Sequence, residues 1–136
     1  MGREAKVIGL DTTAIIDIFK GNRNIRRKLK NIEEPKVVTQ LSYLELLFGL
    51  DRTLKKHKIE EMFYDDFFGS LRILPLDRKA CKKASDIHWN LKSRGKMIGR
   101  FDCTIAGIFL ANDIKKIITK NKKHFQQIST LNIITY

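Results

Sequence analysis

Three carboxylates stand out by where they fall in the chain. Asp11 directly follows the apolar run Val7-Ile8-Gly9-Leu10, and Glu45 lies among strong helix formers that begin at Gln40. Asp102 opens an almost wholly apolar segment that reaches Ala111, and Asn121 follows another short apolar stretch, Ile117-Ile118-Thr119. Taken singly, each has an ordinary duty. Asp11 and Asp102 can cap helices, and Glu45 can pair with a buried cation. Taken together they have a different chemistry, because carboxylates held close repel one another and the usual compensation is a divalent cation. Oxygen ligands alone favour Mg²⁺ or Mn²⁺ over zinc. Such a cation lowers the pKa of a bound water and supplies hydroxide near neutral pH. The hydroxyls of Thr12 and Thr13 are placed to bond the Asp11 carboxylate or a phosphate oxygen.

For these residues to meet, the chain must bring several strand ends to one place, and its pattern does so. Short apolar runs at 7–10, 37–39, 71–74 and 117–119, with a last one at 131–135, alternate with helical stretches. The helical stripes are Ile15, Ile16 and Phe19; the run from Gln40 to about Leu54; Ile59, Met62, Phe63 and Phe67; and Ala80, Ala84, Ile87 and Leu91 behind an Asp77 cap. The charged segment 21–30 is helical in its middle and ends before Pro35. Such alternation predicts an α/β fold with a mostly parallel sheet and helices on both faces. Ligands then gather beyond the carboxyl ends of the strands, the end that Asp11, Glu45, Asp102 and Asn121 all approach. Glu45 shares a helical face with Leu41, Leu44 and Phe48, a costly place for an uncompensated charge.

Four motifs follow one another in a recognisable order: Val7-Ile-Gly-Leu-Asp11-Thr12-Thr13, Ser42-Tyr-Leu-Glu45-Leu-Leu-Phe-Gly49, Ile98-Gly99-Arg-Phe-Asp102-Cys-Thr-Ile105-Ala106, and Thr119-Lys-Asn121-Lys-Lys-His124-Phe125. Together, over essentially the whole chain, they resemble the PIN-domain family and within it the VapC-type ribonuclease toxins of prokaryotic toxin–antitoxin pairs. The resemblance implies a three-layer α/β/α sandwich, one nuclease domain spanning residues 1–136, and an acidic pocket for Mg²⁺ or Mn²⁺. It carries the family's first three acids onto Asp11, Glu45 and Asp102. Many members have a fourth acid where this chain has Asn121, which can orient a metal-bound water but removes one negative charge. The implied chemistry is hydrolysis of single-stranded or loop RNA. The implied partners are that RNA and a small antitoxin protein, for which 22–32 and 60–68 offer apolar stripes. Homodimerisation is a further expectation.

The composition suits a polyanion as substrate and, equally, a lysine-coated surface kept for solubility or the charge-rich habit of a heat-adapted protein. Lys plus Arg number 27 against 15 Asp plus Glu, a net charge of +12, which favours nucleic acid. Lys92, Arg94, Lys96 and Arg100 lead into Asp102, and Lys120, Lys122 and Lys123 flank Asn121; Arg100 and Lys120 are the expected phosphate contacts. Two separated cysteines, Cys81 and Cys103, argue against a disulfide framework or a structural zinc site. No apolar run is long enough for a membrane span, and the N-terminal Met-Gly-Arg-Glu-Ala-Lys lacks a signal pattern, so a cytoplasmic protein is expected. Other conspicuous residues have plain readings: His57, His88 and His124 as structural or surface residues, Trp89, Phe63, Phe67 and Phe68 as core or partner-groove residues, and Glu60, Glu61, Asp65 and Asp66 as a solvated helix face. Three rival functions remain at this level: a weak or inactive PIN domain that binds RNA or protein, a PIN nuclease of RNA processing or acting on DNA, and a phosphotransfer domain with Asp11 as nucleophile. The last commonly needs a second Asp at the place of Thr13.

Overall fold

The computed structural model describes residues 6–136; the N-terminal stretch before Lys6 lies outside the described residues. In chain order the elements are β1 (Ile8–Leu10), α1 (Thr12–Phe19), α2 (Arg23–Lys30), β2 (Lys36–Thr39), α3 (Gln40–Phe48), α4 (Lys55–Gly69), β3 (Arg72–Leu74), α5 (Arg78–Ser93), α6 (Arg100–Ala111), β4 (Lys116–Ile118), α7 (Lys122–Phe125) and β5 (Asn132–Ile134). The five strands form one sheet in the order β3-β2-β1-β4-β5, and each pairing is parallel. Because β1 is central and its neighbours were added on opposite sides, the strand order reverses there. That reversal opens a crevice at the carboxyl end of β1.

Alternation along the strands divides the core in two. Ile8, Leu10, Val38 and Ile118 point to one face, where they pack with Ala14, Ile15, Ile25, Leu46 and Phe68 of α1–α4. Val37 and Ile117 point to the other, against Ile87 and Leu91 of α5 and Ile105, Ile108 and Phe109 of α6. The result is the expected α/β/α sandwich. Gly9 belongs to this second face: a Cβ there would stand 2.6 Å from the Phe109 ring.

Boundaries differ from the sequence pattern in two instructive places. The helix from Gln40 stops at Phe48, and a turn held by Asp51 Oδ1, which accepts from the Thr53 backbone N–H at 2.9 Å, separates it from α4. On α3, Leu44 and Phe48 are exposed rather than part of a covered stripe, so Glu45 stands at the margin of the core and is half-buried. Among the expected core aromatics, Phe68 is buried whereas Phe63 and Trp89 are 58% and 60% exposed. Among the described residues, no helix is long and apolar enough to cross a membrane.

The α5–α6 hairpin rests on a close approach: a Cβ at Gly107 would meet the Ala84 backbone at 2.7 Å. Backbone cannot swing aside as a side-chain tip can. Gly107→Ala is therefore expected to cost roughly 3 kcal/mol by forcing the two helices apart, read as a lower urea midpoint at unchanged slope.

Candidate active site

Each carboxylate arrives at the carboxyl edge of the sheet by a different route. Asp11 follows β1 and caps α1, with its Oδ1 accepting from the Ala14 N–H at 2.9 Å. It is 1% exposed, and two hydroxyls fix it: Thr13 donates to Oδ1 at 2.8 Å, and Thr119 donates to Oδ2 at 2.5 Å. Burial pushes the Asp11 carboxyl up from 3.8 to about 6; hydrogen bonds from Thr119, Ala14 and Thr13 oppose that rise, and the charge of Asp102 adds to it. Glu45, in the second turn of α3, accepts from the Thr12 hydroxyl at 2.7 Å, and Thr12 is also bonded to Ser42 at 2.9 Å. Its carboxyl is raised as well, by burial first and then by Asp102.

Asp102 does not open its helix. Gly99 is the cap and Asp102 the third residue of α6, where a negative charge favours the helix N-terminus. Its side chain instead meets the loop after β4. His124 Nδ1 donates to Asp102 Oδ2 at 2.8 Å, the carboxylate being the acceptor, and Asn121 Nδ2 approaches the same oxygen at 3.5 Å. The Asn121 backbone N–H in turn donates to Thr119 Oγ1 at 2.8 Å, and the Lys120 N–H to Thr13 Oγ1 at 3.1 Å. A continuous chain of hydrogen bonds thus runs from Thr13 through Asp11, Thr119 and Asn121 to Asp102 and His124.

Thr12 and Thr13 are consequently occupied with carboxylates. The Arg100 side chain borders a shallow groove with His88 and Thr104, and Lys120 is exposed beside Asn121. Two members of the constellation lie within the fourth motif without a role expected of them: His124, expected to be merely structural, and Thr119, expected only as the end of a strand. His124 stands three residues after Asn121 on the single turn α7, and that spacing is the one local signal that both could reach a common partner.

Among the described residues, no three His, Cys, Asp or Glu side chains already close into a metal cluster. The chemistry of the donors nonetheless fits a hard divalent cation. Asp11, Glu45 and Asp102 offer oxygen, the charge of Asp102 raises both other carboxyls, and the buried Asp11 has hydroxyl and amide donors but, among the described residues, no cationic side chain in hydrogen-bond contact.

The chain belongs to the PIN domain family, whose model matches residues 8–131. It is 27% identical over 135 residues to the ribonuclease VapC1 of Methanocaldococcus jannaschii, covering 98% of this chain and 88% of that protein. It is 23% identical over 125 residues to the tRNA(fMet)-specific endonuclease VapC of Salmonella typhimurium, covering 91% and 93%. Among solved structures, VapBC2 of Rickettsia felis bound to a promoter DNA fragment superposes with a TM-score of 0.82 at 22% identity, over 96% of this chain and 98% of that one.

Proposed function

We propose that this protein is a metal-dependent endoribonuclease that hydrolyses RNA phosphodiester bonds in the cytoplasm as the toxin of a toxin–antitoxin pair, with residues 1–136 acting as one nuclease domain. The observation that carries the reading is that three acids from three elements meet at one sheet edge, where the charge of Asp102 acts on both Asp11 and Glu45, in a chain whose named relatives are ribonucleases. Asp11, Asp102 and Glu45 are the residues that would hold Mg²⁺ or Mn²⁺. When bound, that cation supplies a water of lowered pKa and offsets charge on the phosphoryl oxygens.

The remaining work falls to the chain itself. Thr13 and Thr119 fix both oxygens of Asp11, so its carboxylate is oriented before substrate arrives. Thr12 holds one oxygen of Glu45 and leaves the other to accept a proton from the attacking water. Asn121 and His124 steer Asp102 through one oxygen, Oδ2, and leave its Oδ1 without a hydrogen-bond partner among the described residues. Arg100 and Lys120 receive the phosphate backbone, with Lys92, Lys96, Lys122 and Lys123 offsetting the repulsion between RNA and an acidic site. An antitoxin of apolar and acidic character suits the groove of about 310 Å³ between Ile18, Ile25 and Leu29, rimmed by Arg26 and Lys30.

The test is cleavage of a mixed RNA pool by protein freed of any co-purified partner. Cutting with Mg²⁺ or Mn²⁺, none with EDTA and none by Asp102→Asn is the expected pattern. RNA binding without cutting in either metal would favour a binding module, with Asn121 in place of an acid as its cause. His124→Ala is expected to lower the cleavage rate about 10- to 100-fold without changing thermal stability. His124→Asn, whose amide can donate from near the Nδ1 position, should restore part of that loss.

A further inference from the structure

The basic residues beside the carboxylates account for only part of the positive charge. A second concentration lies at the opposite edge of the sheet, where the strands begin. There a cleft of about 810 Å³ is lined by Lys6, Arg72, Lys79, Lys115 and Lys116 against one acid, Asp113. A depression of about 320 Å³ shares Lys79 and Asp113 with it and adds Lys82 and Lys83 against Asp86. Of these seven cations only Lys116 has an ion partner among the described residues, Glu34 at 3.4 Å. Crowding like charges without partners is unfavourable, and the acidic site at the far edge gains nothing from it. The cleft is concave and open, formed where the α6–β4 turn leaves the first residues of β3 and β4 uncovered.

We propose that this strand-start edge is a second contact site for the phosphodiester backbone of a folded RNA, an exosite that grips the body of the molecule whose scissile strand lies at the carboxylates. The proposal rests on the ribonuclease reading for its substrate. Helix α5 provides the continuity between the two edges. Its sixteen residues extend about 24 Å and carry Lys79 at the cleft and, about 20 Å along, Lys92, just before Arg94, whose guanidinium donates to the Gln127 carbonyl at 2.9 Å near α7. Lys79, Lys82 and Lys83 stand at i, i+3 and i+4 and so project from one side of that helix, all exposed. Unpaired lysines in a row suit phosphates, which need charge without fixed bidentate geometry. Contacts of this kind would add affinity for structured RNA without reading its sequence.

The test uses the full chain with Lys79→Glu, Lys82→Glu and Lys83→Glu combined. The control carries Lys20→Glu, Arg23→Glu and Arg27→Glu, an equal charge change at the end of α1 and on α2, which pack on the other face of the sheet. Binding to a stem–loop RNA is measured with Asp11→Asn added to each protein, over a series of salt concentrations. The α5 variant should bind about 10-fold or more weakly, with a salt slope lower by about 2 to 3, as expected for three lost phosphate contacts. The control should change far less. With Asp11 intact, the α5 variant should cut a short single-stranded oligonucleotide at the wild-type rate and the stem–loop more slowly. Equal losses in the control, or unchanged binding of the stem–loop, would overturn the exosite. So would a poly-glutamate peptide that binds wild type as tightly as RNA does and depends on the same lysines, since the cleft would then take an acidic protein. A wild-type protein that cuts nothing would overturn the nuclease reading, while the binding comparison would still decide the exosite.

Discussion

Asp11→Asn should remove cleavage while making the metal-free protein more stable at pH 7.5. The two halves of this expectation have a common cause. Asp11 is the most deeply buried of the three acids, and its environment holds its carboxyl near 6. The fold therefore opposes the charge that the proposed chemistry needs. Asparagine retains the structural role: its Oδ1 can still accept from the Ala14 N–H as a helix cap and from the Thr13 hydroxyl, and its amide can donate to the Thr119 hydroxyl once that turns to accept. What disappears is the negative charge, and with it a proposed donor for a divalent cation. A loss of about 10³-fold or more in rate, on the order of 4 kcal/mol, is expected. Single-turnover cleavage and urea unfolding of the same preparations measure both effects. An inactive variant that is also markedly less stable would mean that the carboxylate is a structural group, and the assignment of the site would fail.

The same opposition explains which parts of this protein can be read from the sequence. Asp11 was legible because an apolar run too short for a helix must be a strand, and the residue after a central parallel strand faces the crevice. Asp102 was legible as an acid at a helix start, although its helix begins two residues earlier. Gly99 takes the cap, which leaves the Asp102 carboxylate free to turn toward Asn121 and His124. The role of His124 was not legible, because its partner lies 22 residues away and its three-residue spacing from Asn121 does not say which residue the two would meet. Thr119 escaped for a similar reason: its bond to Asp11 spans 108 residues and exists only because β4 pairs with β1. Nor could periodicity tell a covered apolar stripe from an uncovered one. Leu44, Phe48, Phe63 and Trp89 fit the helical spacing, yet all are exposed, since spacing records which residues share a face and not what that face meets. The basic cleft is harder still to see, being assembled from the first residues of two strands, the helix α5 and a turn.

Stability of the metal-free protein should fall as the pH rises through the range from about 4 to about 6, and a divalent cation should restore it. An acid whose native pKa is raised binds more protons folded than unfolded over the interval between the two values. For Asp11 that interval runs from 3.8 to about 6. Its stabilising contribution relative to the charged state is thus fully present below about pH 4 and lost above about pH 6, a difference of about 3 kcal/mol if the unfolded chain titrates normally. The group is 1% exposed, so solvent screening removes little of it. Glu45 acts in the same direction, being raised by burial and by Asp102. A cation bound by the ionised carboxylates reverses the penalty by mass action, and saturation at 100 times its dissociation constant would return about 2.7 kcal/mol. Urea unfolding at pH 5 and pH 7.5, in EDTA and then in Mn²⁺, gives the comparison for wild type and Asp11→Asn. Wild type should lose stability toward pH 7.5 in EDTA and regain it with Mn²⁺, whereas Asp11→Asn should lose clearly less, keeping only the smaller dependence from Glu45, and gain little from the metal. A metal-free wild type as stable at pH 7.5 as at pH 5 would mean that Asp11 is ionised without cost, and the tension between the fold and its chemistry would not exist.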